Sequence, residues 1–482
     1  MRTSLACIGR TVPEQGTELN YVPAVARSRL PYKQVVAVLY VTTLFMEIMD
    51  STIVNVAIPT LAREFGTEPA EVEWVVLGYL LSLAIFIPAS GWLGDRFGTK
   101  RVYLGALALF TAASALCAMA DTLGQLVAFR ILQGAGGGML TPIGSTILYR
   151  AFPQEERARA SMIVVTAAVV APATGPIVGG ILIDTLSWHW IFTVNIPIGV
   201  LALATGIPLL EEYRAPEPGR FDLAGFVLSG TGLSAVLFAM SEGPNRGWGR
   251  PQIVLPLVFG VGLLGALVVV ELRAREPMLA LRLLGNRMFA RANLAAIPIY
   301  AGFFSLIFIL PIYLQRLRGF SALESGLTTF PQAIGVMICS QFVGRRLYPA
   351  IGPRRLLAAG LTGASLVGFA FLRVDLDTSI WTIRGLMLVR GLFMGLAFVS
   401  IQTATYATTS LADTGRATSI FNGLRQMAAA GGVATAASLI SAAAGLSGIH
   451  HAMAASAACL AAGALVSLTI VDADAAATMP RR

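Results

Sequence analysis

Charge is scarce in this 482-residue chain: 13% of the residues are Asp, Glu, Lys or Arg, against 56% hydrophobic. Soluble domains carry about a quarter charged residues, so an ordinary soluble fold is excluded, and the mean hydropathy of +0.72 agrees. Lysine is rarer still, with Lys33 and Lys100 alone. Neither stands in a Gly-Lys-Ser/Thr loop, so there is no Walker-type phosphate site and no support for an ATP-driven process. Three histidines (His189, His450, His451) and four dispersed cysteines (Cys7, Cys117, Cys339, Cys459) show no metal-ligand or nucleophile spacing and no disulfide framework. The chain is therefore read as a non-enzyme without a metal or other cofactor. Its net charge of +9 is spread over many short loops, whereas a nucleic-acid binder gathers such an excess into one patch.

What the chain has in abundance is long apolar runs. A spanning helix needs about 20 mainly apolar residues, and fourteen stretches qualify: 35–57, 72–93, 102–120, 124–149, 160–183, 189–210, 222–241, 252–271, 291–314, 323–343, 355–372, 384–406, 416–441 and 450–471. An even number puts both ends of the chain on one side. Assigning each Lys and Arg to a loop leaves 25 on the side of the termini, 7 on the other and three inside spans, Arg130, Arg390 and Arg425. By the positive-inside rule both termini are expected in the cytoplasm of a bacterial-type inner membrane. Residues 1–34 are polar and too long a prelude for a cleaved signal peptide, so they read as a cytoplasmic tail.

An internal repeat runs at a shift of about 250 to 260 residues. Leu126 to Gly134 is echoed by Leu386 to Gly395, aligning Arg130 with Arg390; Arg159-Ala160-Ser161 is echoed by Arg416-Ala417-Thr418; and the turn Gly94 to Arg101 has a weaker echo from Gly344 to Arg355. The expected organisation is a tail (1–34), a six-helix bundle (35–210), a linker with two inserted spans (211–290), a second six-helix bundle (291–472) and a short cytoplasmic tail (473–482).

The first span carries Glu47 and Asp50, three residues apart on one helical face. A carboxylate at mid-membrane is costly unless paired, hydrated or protonated. At about 1.5 Å of rise per residue, Asp50 lies roughly 22 Å along span one while Arg130 lies roughly 9 Å from the far end of span four, so in a core of about 30 Å the two come level. Two readings are open: a fixed ion pair locking the spans, or a proton switch in which protonation of Asp50 or Glu47 releases Arg130 and biases which face of a cavity is open. Glu47, one turn nearer the cytoplasm, is the weaker candidate.

Glycine supplies the other signals. Gly134 and Gly136–Gly138 in span four suit close helix packing. Span five carries Gly175-Pro176 and Gly179-Gly180, where missing backbone donors and a smooth face predict a kinked, tightly packed helix. Between spans two and three, Gly91-Trp92-Leu93-Gly94-Asp95-Arg96-Phe97-Gly98-Thr99-Lys100-Arg101 reads as a tight charged turn at the membrane surface.

Together these motifs resemble the major facilitator superfamily, specifically its fourteen-span drug:proton antiporters of the EmrB/QacA type. The resemblance rests on Asp50 to Pro59, the turn at 91–101, Arg130 with Gln133-Gly134, Gly175-Pro176 with Gly179-Gly180, and Trp188 through Gly199. It implies an all-α polytopic fold of two six-helix bundles plus two inserted helices. It also implies proton transfer through Arg130 with Asp50 and Glu47, and a conformational hinge of Gly91, Asp95, Arg96, Gly98, Lys100 and Arg101 with Asp95 near the start of span thirteen. The span-five motif Gly175, Pro176, Gly179, Gly180 marks export. A substrate cavity is expected between spans one, four, nine and twelve, with Asn55, Gln133, Tyr300, Phe304, Arg390, Met394 and Gln402 as candidates. The second half departs from the pattern: its turn lacks the aspartate and Arg390 has no carboxylate opposite it in span nine, which places coupling in the first half. Arg425-Gln426 in span thirteen stays open between a site and a snorkelling or carbonyl-bonded arginine.

The expected function is proton-driven export of amphipathic or cationic drugs and toxic organic compounds. The partners are substrate, protons and the bilayer, and a membrane-fusion protein of a tripartite pump is a candidate partner. The alternatives are a carrier dedicated to one metabolite, antibiotic, siderophore or sugar, or an uncoupled receptor or lipid-handling protein.

Overall fold

Apolar runs long enough to span a bilayer have to satisfy every backbone donor and acceptor within the run, which leaves the helix as the way to cross. The structure, a computed structural model, describes residues 31 to 479 apart from 68, 217, 218, 275, 276 and 444. Most of the expected N-terminal tail, Cys7 within it, and the last three residues of the closing tail lie outside the described residues. Among those described the secondary structure is helical, with no strand.

In the first part of the chain, α1 (Tyr32–Phe65), α2 (Pro69–Phe97), α3 (Thr99–Cys117), α4 (Leu123–Ala151) and α5 (Arg157–Thr185) are followed by a short α6 (Trp190–Thr193) that continues into α7 (Asn195–Leu209). Next come α8 (Leu223–Arg246) and α9 (Pro251–Arg273). The last part comprises α10 (Arg287–Ile312), α11 (Ala322–Thr329), α12 (Pro331–Phe342), the single turn α13 (Tyr348–Ile351), α14 (Pro353–Ala370), α15 (Ile380–Tyr406), α16 (Thr414–Ala442) and α17 (Gly445–Ser467).

Eleven helices among the described residues are long and apolar enough to cross a membrane. Three of the fourteen expected stretches fall short of that criterion. The helices α4 and α16 are 29 residues long, but glycine, serine, threonine and a buried or cavity-facing arginine dilute their hydropathy. The stretch 323–343 is divided by a turn at Phe330, after which Pro331 opens α12 from a position that needs no backbone donor.

The packing repeats along the chain. Helix α4 lies between α2 and α3, and α15 lies between α12 and α14; α1 packs on α5, and α10 packs on α16 and α17. The turns after α2 and after α13 are built alike. Gly98 and Gly352 have φ of +100° and +85°, a region that favours glycine. Just past each, a carboxylate from the end of the same part of the chain caps the next helix: Lys100 N donates to Glu212 Oε1 at 2.9 Å, and Arg354 N donates to Asp472 Oδ1 at 2.9 Å.

Helices α8 and α9 pack on each other, and α8 fills the side gap between α2 and α16. Phe226 and Phe238 of α8 sit against Phe86 and Trp74 of α2, with ring centroids 6.2 and 6.0 Å apart. Trp248, just past α8, donates to Ser438 Oγ of α16 at 2.7 Å. On α9, Leu255, Val258 and Phe259 are more than 60% exposed, a surface suited to lipid.

Candidate functional site

Asp50 of α1 is fully buried and accepts three hydrogen bonds from side chains of α4 and α7. Arg130 NH1 of α4 donates to its Oδ2 at 2.5 Å, while Gln133 Nε2 and Asn195 Nδ2 donate to its Oδ1 at 3.0 and 2.7 Å. Arg130 is anchored in turn: Nε donates to the Val75 carbonyl at 3.2 Å, NH1 also reaches Gln133 Oε1 at 2.7 Å, and the guanidinium lies 4.2 Å from the Tyr79 ring centroid. Ser114 of α3 closes the circuit, accepting from Gln133 at 3.2 Å and Asn195 at 3.1 Å and donating to the Phe192 carbonyl at 3.0 Å. Five helices of the first half, α1, α2, α3, α4 and α7, thus meet in the network around this carboxylate. A buried ion pair needs such further hydrogen bonds to offset desolvation.

Glu47, one turn earlier on α1, faces a different environment. Its Oε2 accepts from Thr141 Oγ1 at 2.7 Å, and it lines a cavity of about 610 Å³ between the two halves. Of the two α1 carboxylates, Glu47 is therefore the one in contact with the cavity, with Asp50 behind it. Asn55, Tyr300, Phe304 and Gln402 also line the cavity.

Three expected lining residues do not. Gln133 is turned into the Asp50 network and has no exposed surface. Arg390 is equally buried, donating to Gln332 Oε1 at 2.7 Å and to the Gly302 carbonyl at 3.2 Å. Met394, also with no exposed surface, belongs to the apolar core. The helix explains the pattern, because every fourth residue drifts about 40° around the axis. Along the stripe 390, 394, 398, 402, only Phe398 and Gln402 come round to the void.

The turn at 91–101 sits where the two halves touch. A Cβ on Gly91 would lie 3.1 Å from the Gly415 carbonyl oxygen of α16, so the glycine permits that approach. Asp95 of α2 lies beside Gly415 at the beginning of α16, with its Oδ1 3.6 Å from Arg150 NH2. Gly98 turns the chain, Lys100 and Arg101 meet Glu212, and Arg96 is exposed. Further links join the halves on this face. Ser90 meets Ser419 at 3.1 Å, Thr146 meets Thr418 at 3.0 Å, Arg150 Nε donates to the Leu411 carbonyl at 3.2 Å, and Arg157 donates to the carbonyls of Tyr406 and Thr409. This face is shut, and the cavity opens toward the opposite one, past Asn55, Glu73 and Asn245.

In α5 the helix runs through Pro172 and Pro176 without interruption. A Cβ on Gly175 would fall 2.1 Å from Thr52 Oγ1, and one on Gly179 2.7 Å from Ile53 Cγ1. These two glycines let α5 lie directly on α1 within a turn of Asp50. Gly180 meets nothing within 4 Å.

Sequence reasoning missed Asn195 as the fourth member of the Asp50 network, and missed that α2, α5, α8 and α16 line the cavity, with Tyr79, Asn422 and Arg425 among their contributions. The Arg425-Gln426 pair inside an apolar run was the available signal for α16.

Fold and site together define a multi-pass helical membrane protein of two similar halves around a central cavity. The family model of the Major Facilitator Superfamily matches residues 40–433, and the chain belongs to that superfamily. Among curated proteins it is similar to the "Multidrug resistance protein B homolog" of Mycobacterium tuberculosis (strain ATCC 25618 / H37Rv), 37% identical over 327 residues, covering 67% of this chain and 60% of that protein. It is also similar to the "Putative multidrug resistance protein MdtD" of Shigella flexneri serotype 5b, 33% identical over 416 residues, with 84% and 85% of the two chains covered. The chain thus spans 60% of the mycobacterial relative's length. Among solved structures, the human organic anion transporter MFSD10 (TETRAN) shares the fold, with a TM-score of 0.67 at 15% identity over 91% of this chain and all of that one.

Proposed function

We propose that this protein is a proton-coupled exporter of amphipathic or cationic organic compounds, working by alternating access. The observation that supports it most directly is the placement of two carboxylates on one face of α1: Glu47 open to an aromatic-lined cavity, and Asp50 one turn away in a closed pair with Arg130. Protonation of Asp50 removes the partner of a buried cation, and the network around it reaches α1, α2, α3, α4 and α7 at once. Its rearrangement therefore bears on the α1–α5 contact at Gly175 and Gly179 and on the turn at 91–101. The two six-helix halves, residues 35–210 and 291–472, rock about the cavity, and 211–290 carries the inserted pair. Both termini and the 91–101 turn face the cytoplasm, so the cavity as seen is outward-facing; the alternation of Lys and Arg along the loops supports this orientation. The relatives' names support export of drugs. A proton-motive force of roughly 150 mV supplies about 3.4 kcal/mol per proton, equivalent to a gradient of a few hundredfold.

The test is uptake of a fluorescent cationic dye into proteoliposomes under an imposed pH gradient. Gradient-dependent uptake that disappears in Arg130→Ala is the expected result; uptake indifferent to the gradient in the unaltered protein would sink the coupling.

A further inference from the structure

The cavity also holds an acidic and a basic side chain outside the Asp50 network. Glu47 projects into it from α1 of the first half and Arg425 from α16 of the second. They are not an ion pair: among the described residues no carboxylate lies within 4.0 Å of the Arg425 guanidinium. Glu47 commits one oxygen to Thr141, and Arg425 lines the void beside Tyr300. Aromatic faces line the same void. Tyr300 stacks with Phe398 and Phe304 at centroid distances of 5.5 and 6.5 Å, both planes within 26°. An incompletely paired charge facing a largely apolar void is costly, and a ligand that brings the missing partner recovers that cost.

We propose that the cavity selects amphipathic aromatic zwitterions, with Glu47 receiving the cationic end, the Tyr300, Phe304 and Phe398 faces receiving the ring system, and Arg425 receiving a carboxylate. A cavity of about 610 Å³ is of the size that encloses a drug-sized molecule. Guanidinium is suited to this task because its planar fork matches a carboxylate bidentately. Plain cations are received at Glu47 but leave Arg425 unanswered. Anions lacking a positive group are opposed from the mouth inward, where Glu73 and Glu242 line the wall and only Glu242 is neutralised, by Arg246. Arg425 is thus the specificity-determining residue, and the two ends of the ligand touch different halves. The inference rests on the reading of this cavity as the substrate site.

The experiment is equilibrium binding to the purified full-length protein at neutral pH, by fluorescence polarisation, of a rhodamine free acid, which is zwitterionic, and its methyl ester, a cation with the same rings. The unaltered protein is expected to bind the acid more tightly. Arg425→Gln should weaken the acid about tenfold, the loss of one charge-assisted contact, and leave the ester within about twofold. Arg425→Lys should fall between, and Glu47→Gln should weaken both dyes. Equal losses for acid and ester in Arg425→Gln, or no binding of the acid to the unaltered protein, would overturn the proposal. Because no gradient is involved, selectivity for the acid without proton-driven flux would remove the exporter reading alone, and flux without selectivity would remove this one alone.

Discussion

Arg130 in α4 and Arg390 in α15 occupy matching places in the two halves, and neither has any exposed surface, yet they are held in opposite ways. Arg130 meets the Asp50 carboxylate together with Gln133 and a backbone carbonyl. Arg390 meets the Gln332 side-chain amide oxygen and the Gly302 carbonyl, both neutral. Elsewhere the halves stay alike: Glu212 and Asp472 cap equivalent helices after equivalent glycines. The two halves thus share the carboxylates that hold the scaffold, while one of the two buried arginines meets no carboxylate among the described residues. Among the described residues Arg130 has a carboxylate partner, whereas Arg390 meets neutral oxygens alone.

The largest effect should come from erasing that difference on the side of the first half. Asp50→Asn leaves Arg130 buried without a counter-charge, a change that costs about 3–5 kcal/mol in comparable sites, or a factor of at least about a hundred in an equilibrium constant. Gradient-driven dye flux should fall by that order, and thermal unfolding of the purified protein should move to lower temperature. Flux at the unaltered rate would mean that the carboxylate is dispensable.

Arg390→Met asks whether the second arginine shares the work. The substitution leaves the Gln332 amide oxygen without its Arg390 donor, at about 1–3 kcal/mol, while the Gly302 carbonyl keeps the Ser456 hydroxyl at 2.6 Å, so the protein should lose stability while flux falls less than about fivefold and keeps its dependence on the pH gradient. A loss of gradient dependence as complete as that of Asp50→Asn would place coupling in both halves.

The sequence made much of this contrast legible, because buried charges in a membrane have few ways to be satisfied. Depth counting brought Asp50 and Arg130 level, and the missing carboxylate opposite Arg390 was visible in the same way. What could not be read was facing. Glu47 and Asp50 lie only about 60° apart around the helix axis, so which one meets the cavity depends on how α4 and α5 dock on α1, a matter decided by Gly175 and Gly179 against Thr52 and Ile53. Gln133 and Met394 were misplaced for the same reason: a helical stripe gives neighbours but not the partner it faces. Asn195 escaped because a polar residue at a helix start has a capping role to account for it. The helix α8 gave no sign in its own sequence that it fills the gap between α2 and α16.

The smallest effect, and the finest test of the contrast, comes from giving the second half what it lacks. Gln332 already places a side-chain oxygen 2.7 Å from Arg390, so Gln332→Glu sets a carboxylate there without a change of shape. The arginine's desolvation is present in the unaltered protein, so the new charge has only its own to offset, and the net gain should be small, about 1 kcal/mol. Combining Gln332→Glu with Arg390→Met in a double-mutant cycle isolates the pair: the expected coupling is about 1–3 kcal/mol in thermal or denaturant unfolding. If the carboxylate alone distinguishes the halves, Gln332→Glu should also make flux sensitive to Arg390→Met, which it is not expected to be in the unaltered background. Stability gained with no new sensitivity of flux would show instead that a carboxylate–arginine pair is insufficient, and that the coupling depends on the particular contact of α1 with α5 at Gly175 and Gly179.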